Sequence, residues 1–308
     1  MPDSRVLGVD LHNLEYFLAV VDHQGINAAA ESLHLSQPTI SQSIRGLERE
    51  LGTELFHRIG RGMVLTSAGH SLVGPARQIL RDVVAAESSV VDAAGRLRGR
   101  LDIVAYATLS AGSLAELIGR FRERSPQVHI RIGDLQDEEA AASLIVDGHC
   151  EIVVCYLPTA TGGLDTLPLG VQEFWAVFPP GTEVSRADPL PRAQLPDVPL
   201  IVVPPGSSWA TEIERAVTAA GRLRRPAAII AHREARLAFV LAGLGGTFME
   251  RSTAEAAAAR GAVVRAVDPC FSRPYGLLFD PEALSPVGRA FIELVREQVA
   301  DTAAAHSR

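Results

Sequence analysis

Apolar side chains recur at Leu14, Phe17, Leu18 and Val21, the i, i+3, i+4, i+7 spacing of a helix with one buried face. Gly25 should stop that helix, and Asn27 is placed to cap a short second one over Ala28–Leu33, with Glu31 near its start. Ser36 is the next cap. Behind it stand Gln37 and Pro38, a proline in a first turn where its missing N–H costs nothing, and then Ile40, Ile44, Leu47 and Leu51 along one face until Gly52. Three short helices with a tight turn over His34-Leu35-Ser36, and small Ala29 and Ala30 allowing close approach, fit the helix-turn-helix plan. A generic three-helix bundle has the same spacing. The next segment of the chain favours the former: Leu55-Phe56 and Val64-Leu65 flank a glycine- and arginine-bearing tip, His57–Met63, and read as the hairpin of a winged helix.

Thr66 or Ser67 then caps a long helix predicted to run to about Ala94. Leu72, Ala76, Ile79, Val83, Ala86 or Glu87, and Val90 are spaced by alternating threes and fours, the seam of a coiled coil. Leu80, Val84 and Val91 widen the stripe, as in a helix packed on its own domain, and Gly74-Pro75 could bend it. Gly95–Gly99 marks a boundary beyond which short apolar runs alternate with helical ones. Strands are predicted at 101–105, 128–132 and 151–156, with helices over 114–124 and 138–147 between them, a βαβαβ order that implies a parallel sheet. The pattern restarts with strands at 174–178, 200–203, 227–231 and 246–249 and helices over 209–220 and 235–242. A strand at 275–279 and a helix from Ser285-Pro286-Val287 to about Ala300 are left over, and we infer that they return to the first lobe. Two crossings would give a hinge and a cleft at the strand C-termini.

The expected division is therefore residues 1–66 as a winged helix-turn-helix, 67–95 as a linker helix, and 96–308 as a two-lobed α/β domain. Within it, lobe one takes about 96–168 and 270–302, and lobe two about 169–269.

Composition narrows the function classes. The 308 residues are 47% apolar and 21% charged, which excludes collagen-like, disulfide-stapled and wholly disordered chains. No run approaches the ~18 apolar residues of a membrane span, and the opening Met1–Arg5 is not a leader of the secretory kind, so the expectation is a cytoplasmic protein with no membrane partner. Cys150, Cys155 and Cys270 lack the spacing of redox or zinc sites and read as buried small hydrophobes. All 29 basic residues are arginine against 36 acidic ones, a net charge of −7, so nucleic-acid binding must rest on local arrangement.

That arrangement carries a resemblance. Ala29-Ala30-Glu31-Ser32-Leu33-His34-Leu35-Ser36-Gln37-Pro38-Thr39-Ile40-Ser41, with Leu47-Glu48, Leu51-Gly52, Leu55-Phe56-His57-Arg58 and Leu65–Gly69, resembles the LysR-type transcriptional regulators over about residues 11–75. Family members often have serine where Gly25 stands and a basic residue where Gln42 stands. The resemblance implies a dimeric winged helix-turn-helix, a linker helix and a periplasmic-binding-like (type 2) effector domain, usually assembled as a tetramer. It also implies duplex DNA with an interrupted palindrome, a small-molecule effector and RNA polymerase as partners.

On the third helix Gln37, Pro38, Thr39, Ser41, Gln42 and Arg45 are the candidate base readers, because its first turns enter a major groove. A Gln amide matches the adenine edge, hydroxyls serve either kind of group, and Pro38 or a Thr methyl can press on thymine. The resemblance singles out Gln37, Pro38 and Ser41, while Gln42 could equally be a solvated position or touch phosphate. Arg45, Arg49, Arg58 and Arg61 supply positive charge, the last two at the wing. Residues 1–95 nonetheless hold 7 Arg against 11 acids, so specificity must come from a dimer gripping two half-sites.

In the two-lobed domain Thr108, Ser110, Ser207, His232 and Arg233 are the candidate effector residues, hydroxyls before helices and polar groups after a strand, suited to an anion. They could also be plain caps and solvated loop ends. Gly243-Leu244-Gly245-Gly246 lacks the Lys-Ser/Thr of a phosphate loop, so no nucleotide, cofactor or metal is expected. No hydrolase elbow or zinc-protease motif occurs, and an enzyme is not expected. Two alternatives remain: a transporter's solute-binding protein, which two lobes alone would also fit, and a DNA-binding protein without an effector.

Overall fold

The structure, a computed structural model, describes residues 10–59, 62–91, 97–204 and 226–306. Its contacts divide the chain into two units, one of Met1–Cys155, Ala160–Leu167 and Leu277–Arg308, the other of Tyr156–Thr159 and Pro168–Gly276. The helix-turn-helix region, the linker helix and the first lobe thus fall together.

The chain opens with α1 (Leu11–Asp22), α2 (Ile26–Ser32) and α3 (Gln37–Leu51). Asp10 caps α1 by accepting the His12 amide at 3.0 Å, and those bonds from His12 hold its carboxyl below the usual range. Gln24 and His34 take the left-handed turn conformation, at φ 55° each, so in neither interhelix corner is the left-handed residue a glycine. Asn27 does not cap α2. The helix begins two residues earlier than expected, at Ile26 with an extended Gly25 at the cap position, because Ile26 packs against the core of this head. Phe17, Ala29, Ile40, Leu47 and Leu55 form that core, with Phe17 and Phe56 rings 5.4 Å apart.

The antiparallel wing strands β1 (Phe56–Ile59) and β2 (Gly62–Leu65) come next. One carboxylate anchors them: Glu48 on α3 accepts the Leu55 and Phe56 amides at 2.9 and 3.4 Å. Thr66 caps α4 (Ser67–Val91), accepting the Gly69 amide at 3.0 Å while donating to the Glu54 carbonyl at 2.7 Å. A Cβ at Gly69 would lie 2.2 Å from the Leu55 carbonyl oxygen, so no other residue lets the helix start this close to the wing. α4 runs on through Gly74 and Pro75. Its early seam positions face inward, with Val73 and Ala76 in the head core and Leu72 and Leu80 against it, whereas Ile79 is exposed.

In the first lobe β3 (Gly99–Ala105) lies between β4 (Val128–Asp134) and β5 (Ile152–Tyr156), all parallel as the βαβαβ order requires. The connections are a helical segment from Ala107, with a π turn at Ser110–Leu114, leading into α5 (Ala115–Arg124), and α6 (Ala141–Val146). α6 is shorter than the 138–147 span expected, because Asp137 accepts the Glu139 amide at 3.0 Å and so turns the chain locally before a helix forms.

β6 (Asp165–Phe178) and, later, β13 (Phe271–Phe279) each run from one unit into the other. In the second unit, β7 (Leu190–Pro191) and β8 (Ile201–Val202) precede β9 (Ala228–Ile229), α7 (Arg236–Leu241), β10 (Thr247–Glu250), α8 (Arg251–Ala259), β11 (Val263–Arg265) and β12 (Val267–Asp268). Here the expected parallel order gives way. β10 and β11 both pair antiparallel with β6, while β8–β9 and β7–β12 are short parallel pairs. The chain ends with α9 (Pro286–His306) in the first unit, where Phe291 meets Phe121 edge-on at 5.3 Å. Among the described residues no helix is long and apolar enough to cross a membrane.

Glu48→Ala should speed hydrogen exchange at the Leu55 and Phe56 amides and lower the stability of the head by about 1.5–3 kcal/mol, the usual worth of hydrogen bonds to a charged acceptor. Glu48→Gln keeps an acceptor and should lose less; equal exchange in all three proteins would contradict this role.

Candidate nucleic-acid interface

α3 owes its position to two caps. Ser36 accepts the Thr39 amide at 3.3 Å and shares a 2.7 Å hydroxyl hydrogen bond with Thr39, and Gly52, at φ 69°, closes the other end. Ile40, Ile44 and Leu47 turn the apolar stripe inward, leaving Gln37, Pro38, Thr39, Gln42, Arg45 and Arg49 exposed. Six of the candidate DNA-contacting residues therefore share the solvent side of one helix. Ser43 on α3 donates to Asn13 of α1, fixing how α3 rotates about its axis.

Ser41 departs from the expected reader geometry. It is only 5% exposed, and Arg45 lies back along the helix to cover it, donating Nη2 to the Ser41 hydroxyl and Nε to its carbonyl, both at 3.1 Å. Residues four apart stack on a helix, so a guanidinium at position 45 naturally reaches position 41. Arg49 repeats the move, donating Nε to the Arg45 carbonyl at 3.1 Å. The result is a short arginine ladder along an open groove lined also by Pro38, Gln42, Gly52, Thr53 and Glu54. Glu48 borders the same groove, but its carboxylate is committed to the wing amides. In the sequence Glu48 figures only in the Leu47-Glu48 pair of the family resemblance; the signal missed was an acid on α3 facing amides at the start of a strand. Arg61 lies outside the described residues, as does the side chain of Arg58, whose backbone pairs with Met63 in the wing.

The effector candidates separate. Thr108 and Ser110 lie in the first unit, just past β3, and both are half-buried. Ser110 spends its one hydroxyl proton on the Tyr106 carbonyl at 3.0 Å, so it has lone pairs to offer but no donor for an anion. His232 is exposed in the second unit, and Ser207 and the side chain of Arg233 lie outside the described residues.

The three thiols are poor nucleophiles. Cys150 and Cys155 are buried, and burial pushes the Cys150 thiol up to about 12. Cys270, expected inside, is exposed, yet the part of it that is covered still raises its pKa, and its Sγ donates to the Phe271 carbonyl at 3.5 Å. Among the described residues no cluster of His, Cys, Asp or Glu could hold a metal ion.

Comparison with known proteins agrees with this geometry at both ends of the chain. Residues 11–70 match the profile described as "Bacterial regulatory helix-turn-helix protein, lysR family", and residues 94–300 match "LysR substrate binding domain". The transcriptional regulator TfdT of Cupriavidus pinatubonensis is 31% identical over 200 residues, covering 64% of this chain and 86% of that protein. A "Probable hydrogen peroxide-inducible genes activator" of Mycobacterium avium is 27% identical over 285 residues, covering 91% and 90%. Among solved structures, full-length CbnR complexed with its target DNA shares the fold, with a TM-score of 0.62 at 23% identity over 94% of this chain and 99% of that one. The chain belongs to the LysR family: it is a DNA-binding transcriptional regulator with an effector-binding domain, and not an enzyme.

Proposed function

We propose that this regulator reads an interrupted palindrome as a dimer, assembling further to a tetramer, with Gln37, Pro38, Thr39 and Gln42 of each α3 against base edges in a major groove. The observation that carries this reading is the exposed, capped first turn of α3 beside the arginine ladder. Ser41 contributes by holding Arg45, and Arg45, Arg49, Arg58 and Arg61 meet phosphates and the neighbouring minor groove. The exposure of Ile79 on the seam of α4, at 42%, supports pairing through the linker helices. Work in the cytoplasm beside RNA polymerase goes with that role.

For the effector we propose a small organic anion, bound with the help of Thr108, Ser207, His232 and Arg233, with Ser110 serving only as an acceptor. An oxidant is the second reading, since three relatives are named for peroxide induction. The thiol chemistry disfavours it, because the thiolate is the reactive form, burial raises the pKa of Cys150 and Cys270, and Cys155 is buried.

If half of the eight candidate arginines in a dimer neutralise phosphates, log affinity should fall against log salt with a slope of about −3.6. Arg49→Ala should flatten that slope, whereas Gln37→Ala should leave it and cost about 1–3 kcal/mol at one base-pair position. A titration on duplexes enriched from a random pool measures both, and a slope near zero would sink the interface.

With a thiol near 12, only about one Cys150 in ten thousand is ionised at pH 8, so native Cys150 should resist iodoacetamide until the protein is unfolded. Hydrogen peroxide should leave DNA affinity unchanged. In a thermal-shift series with acetate, benzoate, succinate and phosphate, at least one anion should stabilise the wild type and lose its effect in Arg233→Ala; no shift with any of them would refute the anion assignment.

A further inference from the structure

Besides its approach to β3, α4 meets the first lobe at three consecutive residues, where the atoms it faces are backbone carbonyls. A Cβ at Gly74 would lie 2.1 Å from the Val146 oxygen, so helix and turn touch here at a glycine. One turn on, Arg77 donates Nη1 to the Asp147 carbonyl at 2.9 Å, and Arg81 donates Nη1 to the Gly148 carbonyl at 2.7 Å. Positions 74, 77 and 81 fall on one helix face, and residues 146–148 are the end of α6 and its exit, where unpaired carbonyls carry the negative end of the helix dipole. Gly148 adopts φ 69°, and a Cβ there would press on Arg77 at 2.9 Å.

The other branch of Arg77 reaches the reading head, where Nη2 donates to the carboxylate of Asp22, the last residue of α1. Only 11% of the Arg77 side chain is exposed. One guanidinium therefore ties three bodies: head, linker helix and lobe. The rest of this seam is not a packed core. It surrounds a cavity of about 660 Å³ whose walls include Asp102, Arg131, His149 and Glu151. Among the described residues Arg81 Nε and Glu151 Oε1 find no partner there, although Glu151 is 3% exposed. A junction held by a few hydrogen bonds beside a cavity opens at lower free energy than a fully packed interface.

We propose that Arg77 and Arg81 are positioning residues for DNA reading: they latch the head and linker helix to the 146–149 turn of the effector domain, and so set the distance between the two recognition helices of a dimer. The proposal rests on the paired reading of two half-sites under the proposed function. A change at the 146–149 turn reaches the head through Arg77, and the half-site sequence itself is untouched because α3 is not part of the latch.

Hydrogen-exchange mass spectrometry of the full-length protein tests the latch without DNA. Arg77→Ala and Arg81→Ala should raise exchange over residues 144–151 several-fold while the main thermal transition stays in place. Asp22→Asn should raise it only over residues 15–25, since the bond from Arg77 to the lobe survives. Unchanged exchange over 144–151 in both arginine variants would overturn the proposal. Enrichment of duplexes from a random pool supplies the functional arm: Arg77→Ala should select the wild-type half-site with a broadened range of spacings, and Arg77→Lys, which cannot bridge Asp22 and Asp147 together, should not restore it. A purely structural role would weaken enrichment at fixed spacing, and that result also defeats the proposal. Failure of the wild type to enrich any half-site would count against the DNA reading instead, leaving the exchange data to decide the latch.

Discussion

Every helix or strand that ends inside a folded chain leaves backbone N–H or C=O groups that must find partners, and burying one without a partner costs about as much as a whole stabilising interaction. In this regulator the side chains that meet that demand stand at the junctions between functional parts. Ser36 satisfies the start of the recognition helix, and Glu48 the start of the wing. Thr66 serves the entry of the linker helix, and Arg77 and Arg81 the exit of α6. Glu151 does the same for the last helix, accepting the Ser285 amide at 2.8 Å. All but Ser36 also bond across to a second element or loop. The geometry offered to DNA is thus a by-product of satisfying the backbone.

The same constraint explains how much of the molecule is legible in the amino-acid order. Caps joined to apolar periodicity announce themselves, so Ser36, Gly52, Thr66 and the seam of α4 stand out, as do the three parallel strands of the first lobe. Asn27 misleads because capping preference is a matter of about 1 kcal/mol and burial of Ile26 outweighs it. The alanine-rich α8 has little contrast between its faces, only Ala254 and Ala257 being fully buried, and leaves no periodic mark. The apolar run Phe174–Phe178 shows a strand but not its direction, which depends on which neighbour the chain brings alongside. Among site residues, the exposed turn of α3 is legible from spacing alone. That Arg45 folds over Ser41, or that Ser110 turns its proton back on Tyr106, is not, because both depend on rotamers that many sequences permit.

A negatively charged chain that binds a polyanion needs its positive groups held where they count. In the proposed reading the ladder from Ser41 through Arg45 to Arg49 does this with helix carbonyls and the Ser41 hydroxyl as acceptors, and among the described residues neither guanidinium has an acidic partner. The acid nearest in sequence, Glu48, is removed from competition by the wing amides it caps. Net charge is therefore a weak guide here, because the sum over residues ignores which charges are already engaged.

Acidic and basic groups elsewhere in the first unit are arranged to the opposite end. Asp102, buried in β3, accepts Nε of Arg100 at 2.7 Å and of Arg131 at 2.6 Å, and burial raises the pKa of Glu151 against the pull of Ser285 and Arg81. Such groups are expensive to bury and gain little net stability over an apolar core of the same shape. What they provide is a junction with one preferred register, since hydrogen bonds between fork and carbonyl fail when the helix slides, whereas leucines would tolerate a shift. A regulator gains from that trade. A fully packed seam between linker helix and lobe would weld the reading head to the effector domain, and a bare one would leave the head free; a few directional bonds beside a cavity give a defined pose that a small change can release.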